Sequence, residues 1–194
     1  MASTYRRRTY IRFAVILFMI CLTSSVSAQK KIFTPQGSEV IVGVLSVSEF
    51  TPAEKAAKKE YCTKAYPRAI YMGEATVSYN CHAYAWSVSE GGEKYWMNYP
   101  SPYWLDGSYV ITNNSDPKAR KVYYPNPNEE HSAIVDLPSP YLISKWGRLC
   151  LMKHLPADCP YNSKGLRYYK LSMEISGDQV IALPDNTSSV SREY

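Results

Sequence analysis

The stretch Tyr79-Asn80-Cys81-His82-Ala83-Tyr84-Ala85-Trp86 holds the residues best suited to covalent chemistry. Asn80 is a strong helix N-cap, so Cys81 falls in the first turn of a predicted helix, where unpaired backbone N–H groups and the helix dipole favour an anion. A thiol placed there is expected to ionise readily and supply the thiolate that a nucleophile needs. Counting i, i+3, i+4 and i+7 from Cys81 gives Tyr84, Ala85 and Val88. That is the core-facing stripe, so the sulfur is expected to face the sheet on which the helix packs. A buried structural Cys, behaving as a small hydrophobe, would occupy the same place. A base separates the two readings.

The chain has 3 histidines, His82, His131 and His154. His82 follows Cys81 on the helix and points about 100° away around the axis, a poor geometry for a partner. His131 opens the alternating strand His131-Ser-Ala-Ile-Val-Asp136. From there an imidazole can face a thiolate at a helix start, taking the thiol proton and later returning it to a leaving amine. The competing reading is a solvent-facing His beside Glu129 and Glu130. His154 lies among turn formers, either as a polar group at a cleft rim or as a loop His beside a disulfide. Cys81, His131 and His154 show neither the Cys-x-x-Cys nor the His-Glu-x-x-His spacing of a metal site, and no cofactor is expected.

The elements that position these groups follow from local signals. Residues 39–48 are β-branched and strand-like. Thr51 as N-cap, Pro52 at N1 and Glu54 at N3 open a helix to about Lys64. A second helix runs from Cys81 to about Glu90 and stops at Gly91-Gly92. Strands then follow over Tyr109–Thr112, Lys121–Tyr124, Ser132–Asp136, Tyr141–Lys145 and Tyr168–Ile175. Helices first and antiparallel strands afterwards is an α+β arrangement.

The 194 residues are 45% hydrophobic with a net charge of +5, which excludes a disordered tail or a multi-span membrane protein. Arg6, Arg7, Arg8 and Arg12 precede the apolar run Phe13–Thr23, which gives way to small residues with Val26 and Ala28 three and one before a cut. This is the layout of a signal peptide, residues 1–28, and the run is too short for a membrane-spanning helix. Four of the 22 basic and none of the 17 acidic residues lie in that segment, leaving 18 against 17, or +1. The case for nucleic-acid binding goes with them. Residues 29–184 then form one domain, and 185–194 a polar tail. Export permits disulfides among Cys62, Cys81, Cys150 and Cys159; three pairings are open, the simplest single bridge being Cys150–Cys159 with Cys81 free.

Cys81-x-x-Tyr84-Ala85-Trp86, the strand from Lys121, His131-Ser-Ala-Ile-Val and Tyr141-Leu-Ile-Ser144-Lys145-Trp146-Gly147 together resemble the cysteine, histidine-dependent amidohydrolase/peptidase (CHAP) family. More broadly they resemble the NlpC-like papain-fold cell-wall peptidases and amidases. The likeness covers residues 79–147. It implies a papain-like fold with helices packed on an antiparallel sheet, Cys81 as nucleophile, His131 as base, and a polar orienting residue on the next strand. A Ser hydroxyl accepts a hydrogen bond and a protonated Lys does not, so Ser144 takes that role, although strand parity admits Ser144 or Lys145 on the face of His131. The Cys81 N–H would contact the oxyanion. Asn80, Tyr84, Trp146 and His154 are candidate substrate contacts. The implied function is an exported, secreted or periplasmic cysteine hydrolase acting on amide bonds of peptidoglycan peptides. The alternative is an inactive secreted domain that binds glycan or protein through its aromatic surface, densest over Lys94–Leu105, with Cys81 in a disulfide.

Overall fold

Thr51 caps the first long helix as its position predicts. Its hydroxyl accepts the Glu54 N–H at 3.3 Å while the Glu54 carboxylate accepts the Thr51 N–H at 2.8 Å. This reciprocal capping box and Pro52 at the first turn fix the start of α1, Pro52–Ala65. The computed structural model describes residues 26–172. Residues 1–25 of the expected signal peptide, the last residues of the expected Tyr168–Ile175 strand, and the polar tail 185–194 lie outside the described residues.

Among the described residues ten strands build two antiparallel sheets. The smaller joins β1 (Val26–Phe33), β2 (Glu39–Leu45) and β4 (Trp96–Met97) in the order β1-β2-β4. The larger contains β3 (Ile70–Gly73), β5 (Tyr109–Thr112), β6 (Lys121–Tyr124), β7 (His131–Val135), β8 (Leu142–Lys145), β9 (Leu151–His154) and β10 (Arg167–Leu171). Its order is β3-β9-β8-β7-β6-β10-β5. Between strands lie α1, α2 (Cys81–Trp86) and the short α3 (Pro102–Leu105). The mixed α and β content with antiparallel sheets agrees with an α+β class. The expected segregation of helices before strands does not hold, because β1 and β2 precede α1 and β3 precedes α2.

The central strands are buried on both faces, so adjacent residues serve different cores. Tyr123 and Tyr169 join Trp86, Tyr103 and Tyr109 in a cluster under α2, while Val122 and Tyr124 join Cys62, Trp146, Cys150 and Met152 on the opposite face. Tyr103 and Tyr109 are 3% and 2% exposed, whereas Tyr99 in the same aromatic run as Tyr103 is 74% exposed, so that run is divided between core and surface. The α2 helix is shorter than expected. Ser87 leaves the helical region at φ −142°, a single 3₁₀ turn follows over Val88–Glu90, and Gly91 closes it at φ 90°. Ser and β-branched Val at the break are weak helix formers, and a left-handed residue is where glycine costs least.

Candidate functional site

Asn80 positions Cys81 by holding two elements at once. Its Oδ1 accepts the Ala83 N–H at 3.0 Å, capping α2, and the Met97 N–H at 3.3 Å, while its Nδ2 donates to the Met97 carbonyl at 2.6 Å. The start of α2 is thereby tied to β4, the edge of the small sheet. Trp86 and His82, one turn apart on α2, both reach β7: Trp86 Nε1 donates to Ser132 Oγ at 2.9 Å, and His82 Nδ1 lies 2.8 Å from the same oxygen.

These contacts settle the faces of β7. Ser132 turns towards α2, so His131 turns the other way, beside Tyr124, its cross-strand partner. The Cys81 sulfur accepts the backbone N–H of Ser132 and those at its own helix start. Backbone N–H groups lie in the plane of a sheet. The sulfur therefore sits level with the start of β7, at Ser132, the chain neighbour of His131, ahead of the β7–β8 pairing through Ile134 and Val135. Tyr161 closes the arrangement: its ring stacks on His131 at 3.6 Å between centroids and 8° between planes, and it lines the same cavity as Cys81.

That cavity, of about 350 Å³, is bordered by Asn80, Cys81, His82, Trp96, Glu130 and Tyr161, with Asn98, Asn128 and Gly147 completing its rim. A larger one, about 540 Å³ between Asn114–Pro117 and Leu137–Tyr141, contains none of the cysteines or histidines. Among the described residues no three His, Cys, Asp or Glu side chains are grouped to hold a metal ion.

Electrostatics at the site differ from the sequence expectation. Cys81 is only 5% exposed, and burial pushes its thiol up to about 11 despite the N–H groups of Ser132 and His82 and the nearby Lys145 charge, which act downwards. Desolvating a thiolate outweighs the favourable helix start. Burial likewise drives His131 well below 6.5 and His82 down to about 4. The resting pair is a neutral thiol and a neutral imidazole. His131 is fully buried, and neither Nδ1 nor Nε2 has a hydrogen-bond partner, Cys81 included.

Ser144 does not orient His131. Register carries it to the His131 face, two residues along from Leu142 opposite Val135, but its Oγ lies 2.8 Å from His154 Nε2 and accepts Trp146 Nε1 at 3.1 Å. Lys145 takes the other face, near Cys81, where its ammonium donates to the carbonyls of Thr76, Gly147 and Leu149 at 3.2, 2.7 and 2.5 Å. Trp146 and His154, at 1% and 0% exposed, are core residues and not substrate contacts; His154 ends β9 instead of lying in a loop. Tyr84 packs on Tyr79, and of the expected contacts only Asn80 borders the cavity. Ser144→Ala is expected to strand Trp146 Nε1 and His154 Nε2, destabilising the fold by about 1–3 kcal/mol in urea titration. Alkylation of Cys81 should keep its wild-type rate; a large change would return Ser144 to the catalytic machinery.

Sequence reasoning missed Trp96, Asn98, Asn128, Glu130 and Tyr161. Tyr161 sits in a segment of turn formers and shows no periodicity, and Trp96 is one aromatic among several in Lys94–Leu105. Comparison with protein-family models, curated proteins and solved structures returned no match.

Proposed function

We propose that the chain is an exported cysteine hydrolase with a papain-like active-site arrangement of the CHAP and NlpC-like kind, cleaving amide bonds in peptidoglycan peptides. One observation carries this reading. His131 is fully buried with both ring nitrogens unpartnered, and it stacks on Tyr161, which lines the same cavity as Cys81 at its helix start. A buried polar atom without a partner costs about 1–3 kcal/mol, and such a cost persists where function requires it.

The chemistry follows from the groups present. As the Cys81 sulfur bonds to the substrate carbonyl carbon, its proton passes to His131, whose nitrogens have no competing partner. The carbonyl oxygen becomes an oxyanion facing the N–H groups at the start of α2. The C–N bond then breaks, the amine leaves with the proton from His131, and water hydrolyses the thioester to release acid and thiol. Tyr161 is a positioning residue, since its stacked ring fixes the imidazole plane that an acceptor on the next strand would otherwise hold. The amide and carboxylate groups of Asn98, Asn128 and Glu130 suit a polar peptide.

Incubating the full chain with purified peptidoglycan and with synthetic stem peptides tests the reading. New amine and carboxyl ends, located by mass spectrometry, are expected; their absence from both substrates would overturn it.

A further inference from the structure

Helix α1 is thinly attached. Of its 14 residues Cys62 alone is buried. Its charged side chains add the Lys55–Glu74 pair at 2.9 Å and Lys59 over the Tyr71 ring at 4.4 Å, contacts of the exposed kind that contribute little. The one buried side chain meets another cysteine. Cys150 immediately precedes β9, β9 pairs with β3 at Leu151 and Gly73, and α1 packs on β3. Cys62 and Cys150, free thiols here, are each 0% exposed and lie in one core cluster, near enough for each thiol to bear on the other.

The other two cysteines are committed elsewhere. Cys81 accepts the Ser132 N–H. The Cys159 sulfur faces the Pro156 and Tyr161 carbonyls at 3.5 and 3.7 Å, so the structure does not favour the Cys150–Cys159 bridge that is simplest from sequence. We propose that Cys62 and Cys150 form a disulfide that fastens α1 to the large sheet. The Lys145 ammonium lies near both sulfurs, but burial pushes the Cys150 thiol up to about 12, so the exchange begins from the small thiolate fraction and quickens as pH rises. That thiolate attacks an external disulfide of the glutathione class, and one external thiol leaves. The second cysteine, losing its proton, then attacks the mixed disulfide and displaces the other external thiol. The protein pair loses two electrons and two protons, and the external disulfide gains them. The bond is independent of chemistry at Cys81.

The test is refolding of the full chain in a reduced/oxidised glutathione buffer, alkylation under denaturant, and peptide mapping. A linked Cys62–Cys150 peptide pair, lighter by ~2 Da than the reduced pair, is expected, with Cys81 and Cys159 alkylated. Reductant should lower the melting temperature by roughly 5–15 °C, and the Cys62→Ser, Cys150→Ser double variant should lose that response. Cys159→Ser, which leaves the pair intact, should still give the linked peptide. Alkylation of both Cys62 and Cys150 after refolding, or a Cys150–Cys159 link, would overturn the proposal.

Discussion

Replacing Cys81 by Ala is expected to reduce amide hydrolysis by about 10³-fold or more, because loss of a nucleophile removes the covalent route altogether. Folding should survive. The sulfur accepts backbone N–H groups but carries no disulfide, and the side chain lost is small, so the stability cost is on the order of 1 kcal/mol. Melting temperature and activity measured on the same preparation separate the two effects. A variant that keeps its activity would remove Cys81 from the mechanism. The resting thiol adds an independent signature. With burial holding it near 11, alkylation by iodoacetamide should be slow at neutral pH and rise about tenfold per pH unit towards that value. A fast-reacting thiol at pH 7 would mean that the N–H groups and Lys145 overcome desolvation after all.

Acid should unfold this protein early. Burial depresses His82 to about 4 and His131 well below 6.5, and it lowers His154 as well. In the unfolded chain all three titrate near 6.5. Between that value and the folded ones the unfolded chain binds protons that the folded chain refuses, so stability falls as pH falls. Each fully shifted imidazole contributes a slope of about 1.4 kcal/mol per pH unit, so His82 and His131 together approach ~3, and His154 acts in the same direction. Carboxylates such as Asp136, held low by hydrogen bonding from Lys153, act in the same direction, but only as pH drops below the ordinary carboxylate range. Urea midpoints at pH 7.5, 6 and 5 should therefore decline steeply, starting about two units above carboxylate titration. A flat profile from pH 7 to 5 would show that the histidines are not held neutral by burial.

The local features legible in the sequence are those set by neighbouring residues. Thr51, Pro52 and Glu54 specify the start of α1, and Asn80 specifies that of α2. The strand-like runs Tyr109–Thr112 and Lys121–Tyr124, set off by Pro- and Asn-rich turns, mark β5 and β6 to the residue. Features created by distant segments were not legible. Strand β9 reads as loop because Pro and Asp follow it closely, and pairing with β3 and β8 makes it a strand. Parity could not choose between Ser144 and Lys145 until the register of β7 against β8 was fixed. Nor could the helix-start argument foresee the raised Cys81 thiol, since burial is a property of the assembled sheet. His131 emerged from strand grammar, whereas the ring that holds it, Tyr161, comes from thirty residues further on.

The side-chain amide of Asn80 joins the helix that carries Cys81, the proposed nucleophile, to the strand that carries Trp96 and borders Asn98. The two walls of the cleft thus belong to separate sheets, joined at Asn80 and through the core that Val40, Val42 and Met97 share with Trp86 and Tyr109. Sequence change in the small sheet can reshape one wall while the thiol and imidazole, anchored in the large sheet, keep their register. Such a division lets substrate preference drift without rebuilding the chemistry.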